Sequence, residues 1–133
     1  EYICQKQSFL CATEGTELSL APQLGRGGFF GGEGLLLERL SGRGMAFLEL
    51  DGSVVEKNLA PGEVIKVSTG NVAAWEGSVS YTAETVRGFA NIFFGGEGLF
   101  LTVLQGPGKV WLQTINMADF AGRILPYLPA RRD

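Results

Sequence analysis

The sequence of 133 residues contains no histidine. That absence removes Ser-His-Asp and Cys-His nucleophilic sites, His-ligated zinc and the usual general base near neutral pH. It has only two cysteines, Cys4 and Cys11, too few for a four-thiolate metal site. Charged residues make up 19% of the chain and the net charge is −3, with a pI near 5.0. The basic residues are scattered apart from Arg131-Arg132, so the stripe that recognises a polyphosphate is missing and nucleic acid is a disfavoured partner. No apolar run approaches the roughly 20 residues of a membrane-spanning helix, and no signal peptide is visible.

Glycine, by contrast, is abundant at 20 residues, and hydrophobic residues reach 45%. That is enough apolar material for a core, and the glycines follow no three-residue period. They mark turns between many short strands. Self-similarity then dominates the reading. Sliding the chain by 64 positions aligns residues 29–49 with 93–113 without a gap, and twelve of these twenty-one positions are identical. Phe29, Phe30, Gly31, Gly32, Glu33, Gly34 and Leu35 recur as Phe93, Phe94, Gly95, Gly96, Glu97, Gly98 and Leu99. Leu37, Leu40, Gly42, Gly44 and Leu48 recur as Leu101, Leu104, Gly106, Gly108 and Leu112. The chain therefore divides into unit one (1–50), a linking turn and strand (51–64), unit two (65–114), and a C-terminal helix and tail (115–133).

Each repeat reads as a glycine-rich loop followed by a β-hairpin. Residues 35–40 and 99–104 form the outgoing strands, and residues 45–50 and 109–114 return. Gly42-Arg43-Gly44 and Gly106-Pro107-Gly108 supply the turns, the second suiting a type II turn. Upstream, residues 2–13 read as one strand, which places Cys4 and Cys11 on opposite faces as unpaired, buried thiols of a reducing compartment. Further strands are expected at residues 64–68, 72–75 and 79–84. Asn116 N-caps the one helix, whose apolar face is Met117, Phe120, Ala121, Ile124 and Leu125 and which Pro126 ends. The fold class is all-β, a jelly roll or short double-stranded β-helix of two repeated units with a short C-terminal helix.

Candidate sites are few, and each has a plain structural alternative. Glu33 and Glu97 suggest an acid–base pair or a hard-cation site, but a carboxylate in a glycine-rich loop serves more simply by accepting the loop's N–H groups. Gly31–Gly34 and Gly95–Gly98 lack the Lys-Ser/Thr and the helix that a phosphate cradle requires. Phe29 and Phe93 place one aromatic of each Phe-Phe pair at a candidate interface. If Ala46, Leu48 and Leu50 face the core, with Val110, Leu112 and Thr114, then Phe47 and Trp111 face outward. They are then interface aromatics, unless a second β-layer covers them. Trp75 belongs to the core or its rim. No catalytic residue, cofactor or metal ligand is assigned.

The Phe-Phe-Gly-Gly-Glu-Gly-Leu motif, the apolar strand, Gly106-Pro107-Gly108 and Val110-Trp111-Leu112-Gln113-Thr114 resemble the altered-inheritance-of-mitochondria family. Residues 59–67, 70–75 and 126–129 fit its C-terminal part. The resemblance implies a fold similar to the tryptophan-RNA-binding attenuator protein and a tendency to form oligomers. It also implies a further related β-unit before Tyr2, so that the chain is a piece of a longer protein, and a mitochondrial setting if the source is eukaryotic. It carries over no catalytic residues. The expected function is a non-enzymatic oligomerisation or scaffold module that binds protein partners or other subunits through its β-surface. Alternatives are a small-ligand or RNA-binding module of attenuator type and, less well supported without histidines, a cupin-like enzyme.

Overall fold

A computed structural model describes residues 1–22, 36–86 and 99–129. Eleven strands are present among them: β1 (Tyr2–Gln5), β2 (Phe9–Ala12), β3 (Thr16–Leu20), β4 (Leu37–Gly42), β5 (Ala46–Leu48), β6 (Val54–Leu59), β7 (Val64–Ser68), β8 (Val72–Glu76), β9 (Ser80–Val86), β10 (Leu99–Gln105) and β11 (Gly108–Gln113). One helix, α1 (Met117–Ile124), follows. The chain is thus all-β with antiparallel sheets and a short C-terminal helix, as expected.

The strands form a six-stranded sheet in the order β3-β4-β1-β8-β11-β6, a three-stranded sheet β7-β10-β9, and a two-stranded sheet β2-β5. Side chains alternate across the six-stranded sheet, and each face has its own core. On one face Ile3, Leu37, Leu59, Val72, Trp75 and Val110 meet Leu104 of the three-stranded sheet, with Ile65 and Val67 packed alongside. On the other face Cys4, Leu40 and Ala74 meet Phe9, Ala46 and Leu48 of the two-stranded sheet. The six-stranded sheet is therefore the middle of three layers. This explains the unbroken apolar run Val72-Ala73-Ala74-Trp75, in which all four residues are buried. A strand covered on both faces has no polar side to alternate with.

Three expectations are corrected. The duplicated segments are not hairpins: β4 pairs with β3 and β1, β5 with β2, β10 with β7 and β9, and β11 with β8 and β6. Each Gly-x-Gly instead carries the chain from one layer to another. Gly42, at φ 102°, lies against Gly15, whose carbonyl accepts from the N–H groups of Arg43 and Gly44 at 2.9 and 3.3 Å. At the second corner Gly106 N–H donates to Glu63 O at 2.9 Å. In both places the corner is hydrogen-bonded to a neighbouring turn, and the strands on either side of it lie in different sheets.

Residues 2–13 likewise form two strands in different sheets, separated by a 3-10 turn at Lys6–Ser8. Cys4 is fully buried, whereas Cys11 is exposed. The expectation of two buried thiols fails because the chain changes layer between them.

The helix begins where expected. Asn116 Oδ1 accepts from Asp119 N–H at 2.9 Å, and Asn116 Nδ2 reaches Asn71 at 3.3 Å. No residue of α1 is buried.

Two outcomes follow from the cores. Trp75 is fully buried and meets Tyr81 edge to face, with ring centroids 4.9 Å apart. Trp75→Ala is expected to lower stability by about 3–5 kcal/mol in urea unfolding. Burial, reinforced by the negative charge of Glu38, pushes the Cys4 thiol up to about 11. The unfolded thiol ionises first, near its ordinary value of 9.0, so this contribution is intact below pH 9 and is lost as pH rises towards 11. In thiol titration at pH 8, Cys11 should react in the native protein and Cys4 only after unfolding.

Candidate functional site

The pairing register shows how the two halves correspond. Leu40 pairs with Tyr2 and Leu18, and its repeat counterpart Leu104 pairs with Ile65 and Tyr81. In the other pairs, Phe47 faces Cys11 as Trp111 faces Ala74, and Leu48 faces Phe9 as Leu112 faces Val72. Strands β1, β2 and β3 thus correspond to β7, β8 and β9 at an offset of 63, whereas β4 and β5 correspond to β10 and β11 at 64. The 3-10 turn Lys6–Ser8 falls on its counterpart Thr69–Asn71. Both halves also skip one residue in register, at Leu10 and at Ala73.

Three strands differ in their partners. β8 pairs with β11 on one side and β1 on the other, but its counterpart β2 pairs only with β5. β11 also pairs with β6, but its counterpart β5 has no second neighbour among the described residues, where β1 uses both edges and β7 one. Among the described residues, β2, β5 and β7 each leave open an edge that is occupied in the other half.

Burial follows the same asymmetry. Ala73 and Ala74 are buried, and Trp111 packs on the Cys4–Leu40–Ala74 cluster. The Trp111 ring meets Tyr2 at 5.8 Å, and its Nε1 donates to Glu56 at 3.0 Å. That carboxylate also takes Lys109 Nζ at 2.9 Å. Hydrogen bonds from Lys109 and then Trp111 hold Glu56 below its usual range. The counterparts in the first half are Leu10 at 61% exposure, the exposed Cys11, and Phe47 at 46%. Phe47 and Trp111, paired by the sequence as outward aromatics, thus part company. Trp111 is covered by a second β-layer and Phe47 is not. Glu33, Glu97, Phe29, Phe93 and the glycines at 31, 32, 34, 95, 96 and 98 lie outside the described residues. No cluster of three His, Cys, Asp or Glu able to hold a metal is present among the described residues.

Between the middle layer and β5 lies a pocket of about 340 Å³. Leu40, Ala46, Leu48, Leu50, Ala74 and Trp111 make its wall apolar, and Gly42 and Gly44 line one end. Ala12, across the sheet from Ala46, is exposed and does not line the pocket. Its register counterpart is Trp75, which fills the interior of the other half. Sequence reasoning missed Tyr2, Gly42 and Gly44 at this place. The identity of both glycines with Gly106 and Gly108 was the available signal, but it was read as turn chemistry.

Residues 1–115 match the family described as mitochondrial biogenesis AIM24. The chain belongs to that family. An uncharacterised protein of Streptococcus pyogenes serotype M6 is 27% identical over 130 residues, covering 97% of this chain and 52% of the relative. A crystal structure of a Streptococcus pyogenes protein superposes with a TM-score of 0.77 at 24% identity, over 96% of this chain and 55% of that one. This AIM24-family chain therefore spans about half the length of the relatives it matches. Among the described residues no helix is long and apolar enough to cross a membrane.

Gly106 tests the packing of β6 in the complete half. A Cβ there would stand 2.7 Å from Leu59 Cβ. The carbonyl oxygens of Ala60 and Leu59 would be nearer than 3 Å as well, so Gly106→Ala should destabilise the fold by about 1–3 kcal/mol in urea titration, since relief needs a backbone shift.

Proposed function

We propose that this chain is a non-enzymatic assembly module that docks further β-units through the open edges of β2, β5 and β7 and the outer face of the β2-β5 layer. One observation carries the reading. Leu10, Cys11 and Phe47 are exposed, whereas of their counterparts Ala73 and Ala74 are buried and Ala74 and Trp111 pack against Cys4 and Leu40 of the other half. An apolar face beside unpaired N–H and C=O groups is a template for another sheet.

The halves offer complementary edges. β1 pairs with β8 inside the chain, and β7 and β2 are the counterparts of those two strands. A contact between β7 of one copy and β2 of the next repeats a pairing the sequence already makes. It is heterologous, so it builds rings or longer arrays. Membership of the mitochondrial biogenesis AIM24 family is compatible with a scaffold role. The net charge of −3 works against a polyphosphate partner.

Native mass spectrometry and light scattering across a concentration series test the proposal. Assembly should grow with concentration. Phe47→Asp should shift it to monomer while changing the unfolding free energy by less than about 1 kcal/mol, as expected of an exposed position. Ala12→Pro should do the same. Thr13 N–H donates to Met45 O within the β2-β5 sheet, so strand alternation turns the Ala12 N–H towards the open edge. A strict monomer at every concentration, or assembly indifferent to both changes, would overturn the reading.

A further inference from the structure

We infer that the pocket beside β5 is the seat for an apolar side chain of an added β-strand, laid antiparallel along the open edge of β5 by a further β-unit of the same kind. This rests on the assembly reading and names the chemistry of one docking edge.

The complete half shows what such a strand does. β6 runs antiparallel along β11, with Leu59 opposite Gly108, Lys57 opposite Val110 and Val55 opposite Leu112. Leu59 is 2% exposed and shares one buried cluster with Leu104 and Val110, with Leu112 packed against it. A side chain at Gly106 would collide with it. The first-half counterparts of these five residues are Leu40, Gly42, Gly44, Ala46 and Leu48, and all five line the pocket. No strand among the described residues lies on the outer edge of β5. The same wall thus surrounds a leucine in one half and space in the other.

The register assigns the occupant. An apolar residue sits opposite Gly44, in the place of Leu59, with the strand continuing past Ala46 and Leu48. Its backbone hydrogen-bonds to the edge and its side chain enters the pocket, the usual division of labour in strand addition. The two glycines close that end of the wall against the turn at Gly15 and Thr16, where a side chain on either would collide.

A peptide of residues 53–63 of this sequence carries β6 and its turn, and serves as the probe. A fluorescein-labelled form should bind the intact chain saturably in anisotropy titrations. Replacing the peptide's leucine (Leu59→Ala) should weaken binding by about tenfold or more. Ala46→Phe, which fills the pocket from its wall, should weaken it similarly, with Leu50→Trp as a second blocking variant if the first does not fold. Phe47→Asp, on the outer face, should leave peptide binding unchanged while abolishing assembly. Absence of binding, or binding indifferent to Leu59→Ala and to pocket filling, would overturn the assignment. So would an apolar dye that fills the pocket without being displaced by the peptide, since the seat would then belong to a small molecule. Assembly that persists in that event would leave the wider reading standing and remove only this seat.

Discussion

The structure depends on the antiparallel pairing of β1 with β8, in which Tyr2, Ile3 and Cys4 face Glu76, Trp75 and Ala74. It joins a strand from each half and makes six strands one sheet. Without it, the first half would be a three-stranded layer over a two-stranded one, and two-stranded sheets are marginal in water. With it, both faces of the middle sheet are covered and two cores share one backbone layer. The buried Gln5 side chain reinforces the junction by donating to the carbonyls of Thr69 and Val72, beside the start of β8. Such buried bonds add little on their own, but leaving the two carbonyls unsatisfied would be expensive.

That junction also explains why the halves diverged. The second half is packed on both sides and closed at its end by β6. Trp75 fills its interior, and small residues at Ala73 and Ala74 let the other layer approach. The first half keeps Ala12 in the place of Trp75 and large apolar residues at Leu10 and Phe47. These choices are poor for a lone module. They suit one whose outer layer meets another unit as β8 and β11 meet the first half. Open sheet edges are usually blunted by charge, proline or bulges. The skipped register at Leu10 is such a bulge, but its counterpart at Ala73 lies in a strand paired on both sides. The bulge alone therefore does not prevent pairing.

Much of the architecture was legible in the chain. The duplication around Gly42, Gly44 and Leu48 is plain at a spacing of 64. The strand at residues 64–68, the end of the apolar run at Trp75 and the Asn116 cap lie where local patterns placed them. Upstream of the loop the spacing becomes 63, and residues 1–22 share no identity with 64–85. There the repeat survives only as backbone pairing, because many apolar residues satisfy the same pleated surface. An ungapped slide along the sequence stops where that one-residue difference begins.

The sequence by itself determined the all-β class, the repeat, the absence of histidine chemistry and the helix start. These follow from composition, short-range turn chemistry and local periodicity. Only the tertiary structure decided that each Gly-x-Gly is a corner between layers and not a hairpin turn. It also separated Cys4 from Cys11 and Trp111 from Phe47, and left β2, β5 and β7 each with an edge open among the described residues. The physical reason is that strand alternation specifies a side chain's face, whereas what covers that face depends on strands distant in sequence. Corresponding positions therefore end buried in one half and exposed in the other.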